Sequence, residues 1–181
     1  DGVNGGPVDG MIRTESDMEW LKSMIDAGYT FMPNKTVGKD KIWYGDYVYA
    51  DANGDGIYGG SDDKEFQGFS KDPRYNFGLQ FSAMWKGFDF SMNWAGAAGF
   101  KLYWGSATGY NSPTTRVGVA LGTDIANNHY FFDPENTSDA RTNINAKYGR
   151  LVNGENGFQN TEATSLYLFN ANYLKLKNLT F

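Results

Sequence analysis

The chain has 181 residues, with 21 Asp and Glu against 16 Lys and Arg, a formal charge of -5 and no cysteine. No cluster of Lys and Arg is present beyond the alternating Lys175 and Lys177, which argues against a nucleic-acid partner, since phosphate binding needs clustered cations. The missing cysteines exclude disulfides and thiolate metal sites.

Aromatic residues make up 17% of a chain whose mean hydropathy is only -0.54, and Gly occurs 23 times. That mix favours strands and turns over helices. No apolar run approaches the roughly 18 residues of a transmembrane helix. Transmembrane strands need only about 9–11 residues and hide their apolarity in alternation. The sequence opens Asp1-Gly2-Val3-Asn4 without an initiator Met or an apolar leader, so an internal or processed piece is expected.

Residues 14–27 hold the one expected helix, running over 16–27. Ser16 can cap it, Glu19 completes a capping box, and Met18, Leu21, Met24 and Ile25 form an apolar stripe that Gly28 ends. Residues 42–50 read as an aromatic extended segment. They lead into Asp51-Ala52-Asn53-Gly54-Asp55-Gly56-Ile57, with Asp62 at the twelfth position of the loop.

Oxygen ligands at loop positions 1, 3 and 5, Gly at 6 and an acid at 12 describe an EF-hand-like calcium loop. Asp51, Asn53 and Asp55 would supply side chains, Ile57 its carbonyl and Asp62 the closing carboxylate. Such a Ca2+ would stiffen the loop and do no chemistry. The other reading is a plain Asn/Asp/Gly turn, because these residues dominate turns.

Residues 75–96 alternate most strictly. Tyr75, Phe77, Leu79, Phe81, Ala83 and Trp85 share one face, and Phe88, Phe90, Met92 and Trp94 continue it after Lys86-Gly87. The spacing predicts a hairpin with one apolar and one polar face. Its strand lengths suit a tilted transmembrane strand with lipid-facing aromatics. Alternation alone leaves a second reading open, a half-buried hairpin of a soluble sandwich.

Residues 97–163 are rich in Gly, Asn, Thr, Ser and Asp and read as a long loop region in which Phe100, Tyr103, Trp104 and Tyr110 pack or stack on sugars. Residues 164–181 return to strand: Leu166 and Leu168 face one way, Leu174 and Leu176 alternate with Tyr173, Lys175 and Lys177, and a bulge is expected near Asn178-Leu179. His129 is the only histidine, and no nucleophile elbow or phosphate-binding loop occurs. A carboxylate pair of the glycosidase kind is not decided by sequence. The expectation is that the chain is not an enzyme.

Six short runs, in this order, resemble the later barrel region of SusC-like TonB-dependent outer-membrane transporters. They are Val8–Thr14 with the helix after it, Gly45-Asp46 with the Asp51–Gly56 loop, Tyr75–Leu79, Trp85–Met92, Phe132–Asn136 and Asn172–Thr180. One departure is Asp133, where the family often carries a small or hydroxyl residue before proline. The resemblance implies an all-β fold, part of a large transmembrane antiparallel β-barrel with long extracellular loops and one short helix.

In that frame residues 8–70 are an extracellular-side segment, 75–96 a transmembrane hairpin, 97–163 a long loop region and 164–181 a barrel strand. The resemblance further implies import of oligosaccharides or peptides across the bacterial outer membrane. The partners it implies are a SusD-like surface lipoprotein, outer-membrane lipid, and TonB through a part of the parent chain not present here. The competing expectation is a soluble, calcium-stabilised β-rich carbohydrate-binding module.

Overall fold

A computed structural model of the chain describes residues 5–103, 122–152 and 164–181. Among them lie nine strands and two α-helices, so the fold is β-rich. The strands form four small sheets of two or three strands, and no described sheet closes on itself. No described helix is long and apolar enough to cross a membrane. The chain divides into two compact units, residues 1–66 with 110–163 and residues 67–109 with 164–181.

In the first unit, helix α1 (Glu15–Asp26) starts one residue earlier than expected, and its cap is Thr14, not Ser16. Thr14 is extended; its Oγ1 accepts from Asp17 N–H (3.2 Å) while Asp17 Oδ2 accepts from Thr14 N–H (2.8 Å). Asp17 thus takes the role expected of Glu19, because Ser16 already lies inside the first turn. Met18 and Leu21 are buried, and the Trp20 ring meets Phe31 edge-on. Phe31 belongs to β1 (Thr30–Phe31), which pairs in parallel with β2 (Ile57–Tyr58); the Phe31 and Tyr58 rings stack at 4.7 Å.

The expected aromatic segment 42–50 is tied down by turns and two bridges, Met11 to Tyr47 and Val37 to Ile42, instead of forming a strand. Ile42, Tyr44, Tyr47 and Val48 point into the core. Asp46 is 0% exposed. Arg150 answers it with two parallel bonds, Nε to Oδ1 at 2.7 Å and Nη2 to Oδ2 at 2.8 Å. Its remaining donors go to the carbonyls of Lys39 and Lys41. A buried carboxylate persists only with such a fork and further donors, here Trp43 N–H at 2.9 Å.

Gly45 stands beside it at φ 86°, where an added Cβ would lie 2.4 Å from the Tyr130 ring. Only glycine fits both the backbone and the space.

The region 97–163, read as loop, contains real elements. Helix α2 (Thr123–Asn128) precedes β6 (His129–Tyr130), which pairs in parallel with β7 (Tyr148–Arg150). A second helix corrects the expectation of one. Its six residues carry a single buried apolar side chain, Ile125, and its cap residue is Gly122, so neither stripe nor cap marked it in the sequence.

In the second unit, β3 (Tyr75–Trp85) and β4 (Phe88–Ala98) form the expected hairpin, each 11 residues long. The turn residues Lys86 and Gly87 both have positive φ (48° and 87°), the two-residue geometry whose twist suits a hairpin. β4 also pairs antiparallel with β9 (Tyr173–Thr180), giving the order β3-β4-β9. Asn93 faces Asn178 whereas Trp94 faces Leu176, so Lys177 is the extra residue of a bulge.

The segment before β9 is less regular than expected. Residues 165–167 form a 3-10 turn capped by Thr164. Then β8 (Leu168–Asn170) pairs with β5 (Lys101–Tyr103), and Asn172 Oδ1 accepts from Gly99 N–H at 2.8 Å. Leu166 and Leu168 therefore lie in different elements instead of on one strand face. Trp104 and Tyr110 lie outside the described residues.

Candidate functional site

Two places carry the weight of the functional reading: the Asp51 loop of the first unit and the sheet of the second.

The loop is seated on the core through β2. Thr30 N–H donates to Gly56 carbonyl (3.0 Å), and the Tyr29 ring approaches Gly56. Asp51 organises the turn. Its Oδ1 accepts from Gly54 N–H (2.6 Å) and Asp55 N–H (3.2 Å), and its Oδ2 from Gly56 N–H (2.9 Å). Asn53 Oδ1 accepts from Asp55 N–H (2.9 Å), and Asp55 Oδ1 from Ile57 N–H (2.8 Å). Gly54 and Gly56 take positive φ, which lets the chain turn this sharply.

Asp51, Asn53 and Asp55 thus occupy one loop, while Ile57 sits in β2 and Asp62 lies exposed in the 3-10 turn Ser61–Asp63.

Asp63, the neighbour of Asp62, ties the two ends of the loop together through the backbone. Its Oδ1 accepts from Ala52 N–H (2.8 Å) and its Oδ2 from Gly60 N–H (2.8 Å). Burial pushes the Asp63 carboxyl pKa up, but the N–H donors of Ala52, Gly60, Asn53 and Gly59 outweigh it and hold the group below its ordinary value.

Among the described residues no three carboxylate or imidazole side chains stand together as a metal-binding group. A carboxylate has about four lone-pair sites. Asp51 gives three of them to loop N–H groups, and Asp55 gives one to Ile57 and one to Asn53 Nδ2 (3.3 Å). The donor chemistry suits a hard cation, and the oxygens keep spare acceptor capacity. Asp51 and Asp55 with the Asn53 amide would hold such an ion, and its chemistry would be charge neutralisation and stiffening of the turn.

The second place is the three-stranded sheet. Its register puts Tyr75, Phe77, Leu79, Phe81, Ala83 and Trp85 beside Ala98, Gly96, Trp94, Met92, Phe90 and Phe88. Met92, Trp94 and Gly96 in turn face Leu179, Leu176 and Leu174. The bulge at Lys177 keeps all three leucines on this side, because the extra residue absorbs the odd step between Leu176 and Leu179. The result is one unbroken apolar face across three strands.

Much of this face is exposed: Phe77 47%, Leu79 61%, Trp85 68% and Leu174 55%. The opposite face is mixed but more polar: Asn76, Gln80, Ser82, Asp89, Ser91, Asn93 and Lys175 share it with small Gly78, Ala95 and Ala97 and with Met84 and Tyr173. Gly96 is required where it sits: an added Cβ would lie 2.4 Å from the Phe77 ring and 2.8 Å from the Tyr173 carbonyl oxygen. The Leu174 and Leu176 rows were visible in the alternation; which strand they flank was not.

His129 takes a structural position. Its Nδ1 donates to Ala126 carbonyl at 2.8 Å and closes the end of α2, so the ring caps a helix. Comparison with protein-family models, with curated proteins and with solved structures returned no match.

Proposed function

We propose that this chain is part of a TonB-dependent outer-membrane transporter of the SusC-like kind, importing oligosaccharides or peptides together with a SusD-like lipoprotein. The observation that carries the reading is the exposed apolar face of the β3-β4-β9 sheet. Monomers in water rarely leave contiguous apolar patches of more than a few hundred Å² uncovered. Here three adjacent strands, two of them 11 residues long, present mostly aromatic and leucine side chains on one side and mostly Asn, Gln, Ser, Asp and Lys, with Met84 and Tyr173, on the other.

That division suits a barrel wall between lipid and a watery interior. Strand length suits it too, since tilted spanning strands run about 9–11 residues. Trp85 and Phe88 flank the two-residue turn, a place for an interfacial aromatic girdle.

The first unit then belongs to the extracellular side, with the Asp51 loop as a Ca2+-stiffened turn. The Ca2+ proposal is tested by calorimetry: binding heat that disappears in Asp55→Ala supports it, and absence of heat ends it.

The transport reading is tested by transferring the chain from denaturant into lipid vesicles and into buffer alone. Strand content protected from protease only with lipid supports the barrel segment. A monodisperse, cooperatively melting species in detergent-free buffer favours the soluble calcium-stabilised carbohydrate-binding module instead, a reading to which the self-contained core of the first unit also lends itself.

A further inference from the structure

The first unit holds a cleft of about 790 Å³ between the Lys39–Tyr44 stretch and the 126–151 stretch. That volume falls in the range of small-molecule sites, about 300–1,000 Å³. In a chain of charge -5, none of the described residues lining the cleft is an acid, whereas Lys39, Arg141 and Arg150 all line it.

Arg150 is spent on the buried Asp46 and two carbonyls, whereas Lys39 and Arg141 are well exposed and can still reach a ligand. Among the described residues Lys39 has a loose partner, Glu135 at 3.8 Å, and both side chains are well exposed. Arg141 is held by Asp139 through Nε and Nη2, and its guanidinium lies 4.4 Å over the Phe131 ring. That double hold fixes the charge in place while the guanidinium keeps further donors.

Two further features separate this cleft from a plain basic groove. Trp43, Tyr44 and Phe132 form an edge-to-face aromatic row in its wall. Thr142, also in the lining, has a buried Oγ1 with no hydrogen-bond partner. A buried hydroxyl left unpaired is costly, and a ligand hydroxyl would satisfy it once the cleft wall shifts to uncover the oxygen. Aromatic planes, a hydroxyl in need of a partner and two exposed cations, one of them fixed, together match a ring that carries hydroxyls and a carboxylate.

We propose that this cleft binds an acidic oligosaccharide, with Lys39 and Arg141 on the uronate carboxylates, the aromatic row against the sugar faces and Thr142 Oγ1 on a ring hydroxyl. If the chain is an importer, this narrows its substrate class; the binding claim itself does not depend on transport.

The test is calorimetry on the full chain in a detergent without sugar headgroups, titrated with tetragalacturonate, its carboxyl-reduced tetramer and tetraglutamate. Saturable binding of the uronate is expected, at least about tenfold tighter than either comparison ligand. Lys39→Gln and Arg141→Gln each should weaken it roughly tenfold, and Thr142→Val by a smaller factor, with near-UV circular dichroism unchanged.

Equal binding of the neutral tetramer overturns the proposal, as does equal binding of the acidic peptide, which would make this a peptide site. Absence of heat from a chain with intact near-UV signal overturns it as well. Vesicle insertion that fails while uronate binding persists overturns the transporter reading alone; the reverse overturns only the cleft.

Discussion

The two units spend the same kind of side chain in opposite ways. In the first, Tyr47, Tyr58, Tyr130 and Phe31 are almost wholly buried, and Asp46, paired with Arg150, is buried with them. In the second, Phe77, Phe81, Trp85 and Phe88 lie on an open sheet face. Aromatic content alone therefore does not say whether a segment makes its own core or needs a surrounding. What decides is whether the apolar groups converge from several elements or line up on one side of a single sheet. The first unit is a finished packing problem, and the second is half of one.

The sharpest way to break that contrast is to remove Asp46. Asp46→Ala strands the Arg150 guanidinium against a buried site, which costs about 3–5 kcal/mol. Denaturant titration of the chain should show loss of the near-UV signal of the first unit, while the β3-β4 hairpin signal in lipid persists.

Next in size is a charge on the open face. Leu79→Arg should cost roughly 2–4 kcal/mol for insertion into lipid if Leu79 meets the middle of a bilayer. Vesicle-refolding equilibria read this directly. An unchanged equilibrium would mean that the face meets water or protein. Smaller is Thr14→Ala, which removes one half of the capping box and should lower stability of the first unit by about 1 kcal/mol without touching the sheet.

Smallest is a pH effect at Asp63. Its folded pKa is lowered, so its contribution is complete above the ordinary carboxylate value of 3.8 and fades as pH falls below it toward the folded value. Melting of the first unit should drop over that acid window, and Asp63→Asn should flatten that part of the profile.

Legibility in the sequence followed the same divide. The hairpin was readable to within a residue or two because alternation and a Lys-Gly turn are local signals. The bulge near Asn178 was readable too, since a broken alternation has few other causes. The helix was placed well, but its cap was assigned two residues late, because Thr14, Ser16 and Asp17 all suit a helix start and only geometry chooses among them.

The pairing of β4 with β9, and of Asp46 with Arg150, left no trace in local pattern. The latter joins residues 104 apart. The Asp51 loop showed its motif plainly, but the hydrogen bonds by which Asp63 ties Ala52 to Gly60 left no mark in it. Nothing in the pattern marked α2, whose polar sequence is shaped by the segments beside it.

The long reach of the Asp46–Arg150 pair also sets a timetable. Closing a loop of that length is slow compared with a two-residue hairpin, which forms in about 1–10 μs. A growing chain must hold residues 5–66 without their clasp until Arg150 arrives, and by then the residues of β3 and β4 have been synthesised. Pulse-labelled amide exchange should find the β3-β4 amides protected first and those around Gly45 and Tyr47 last.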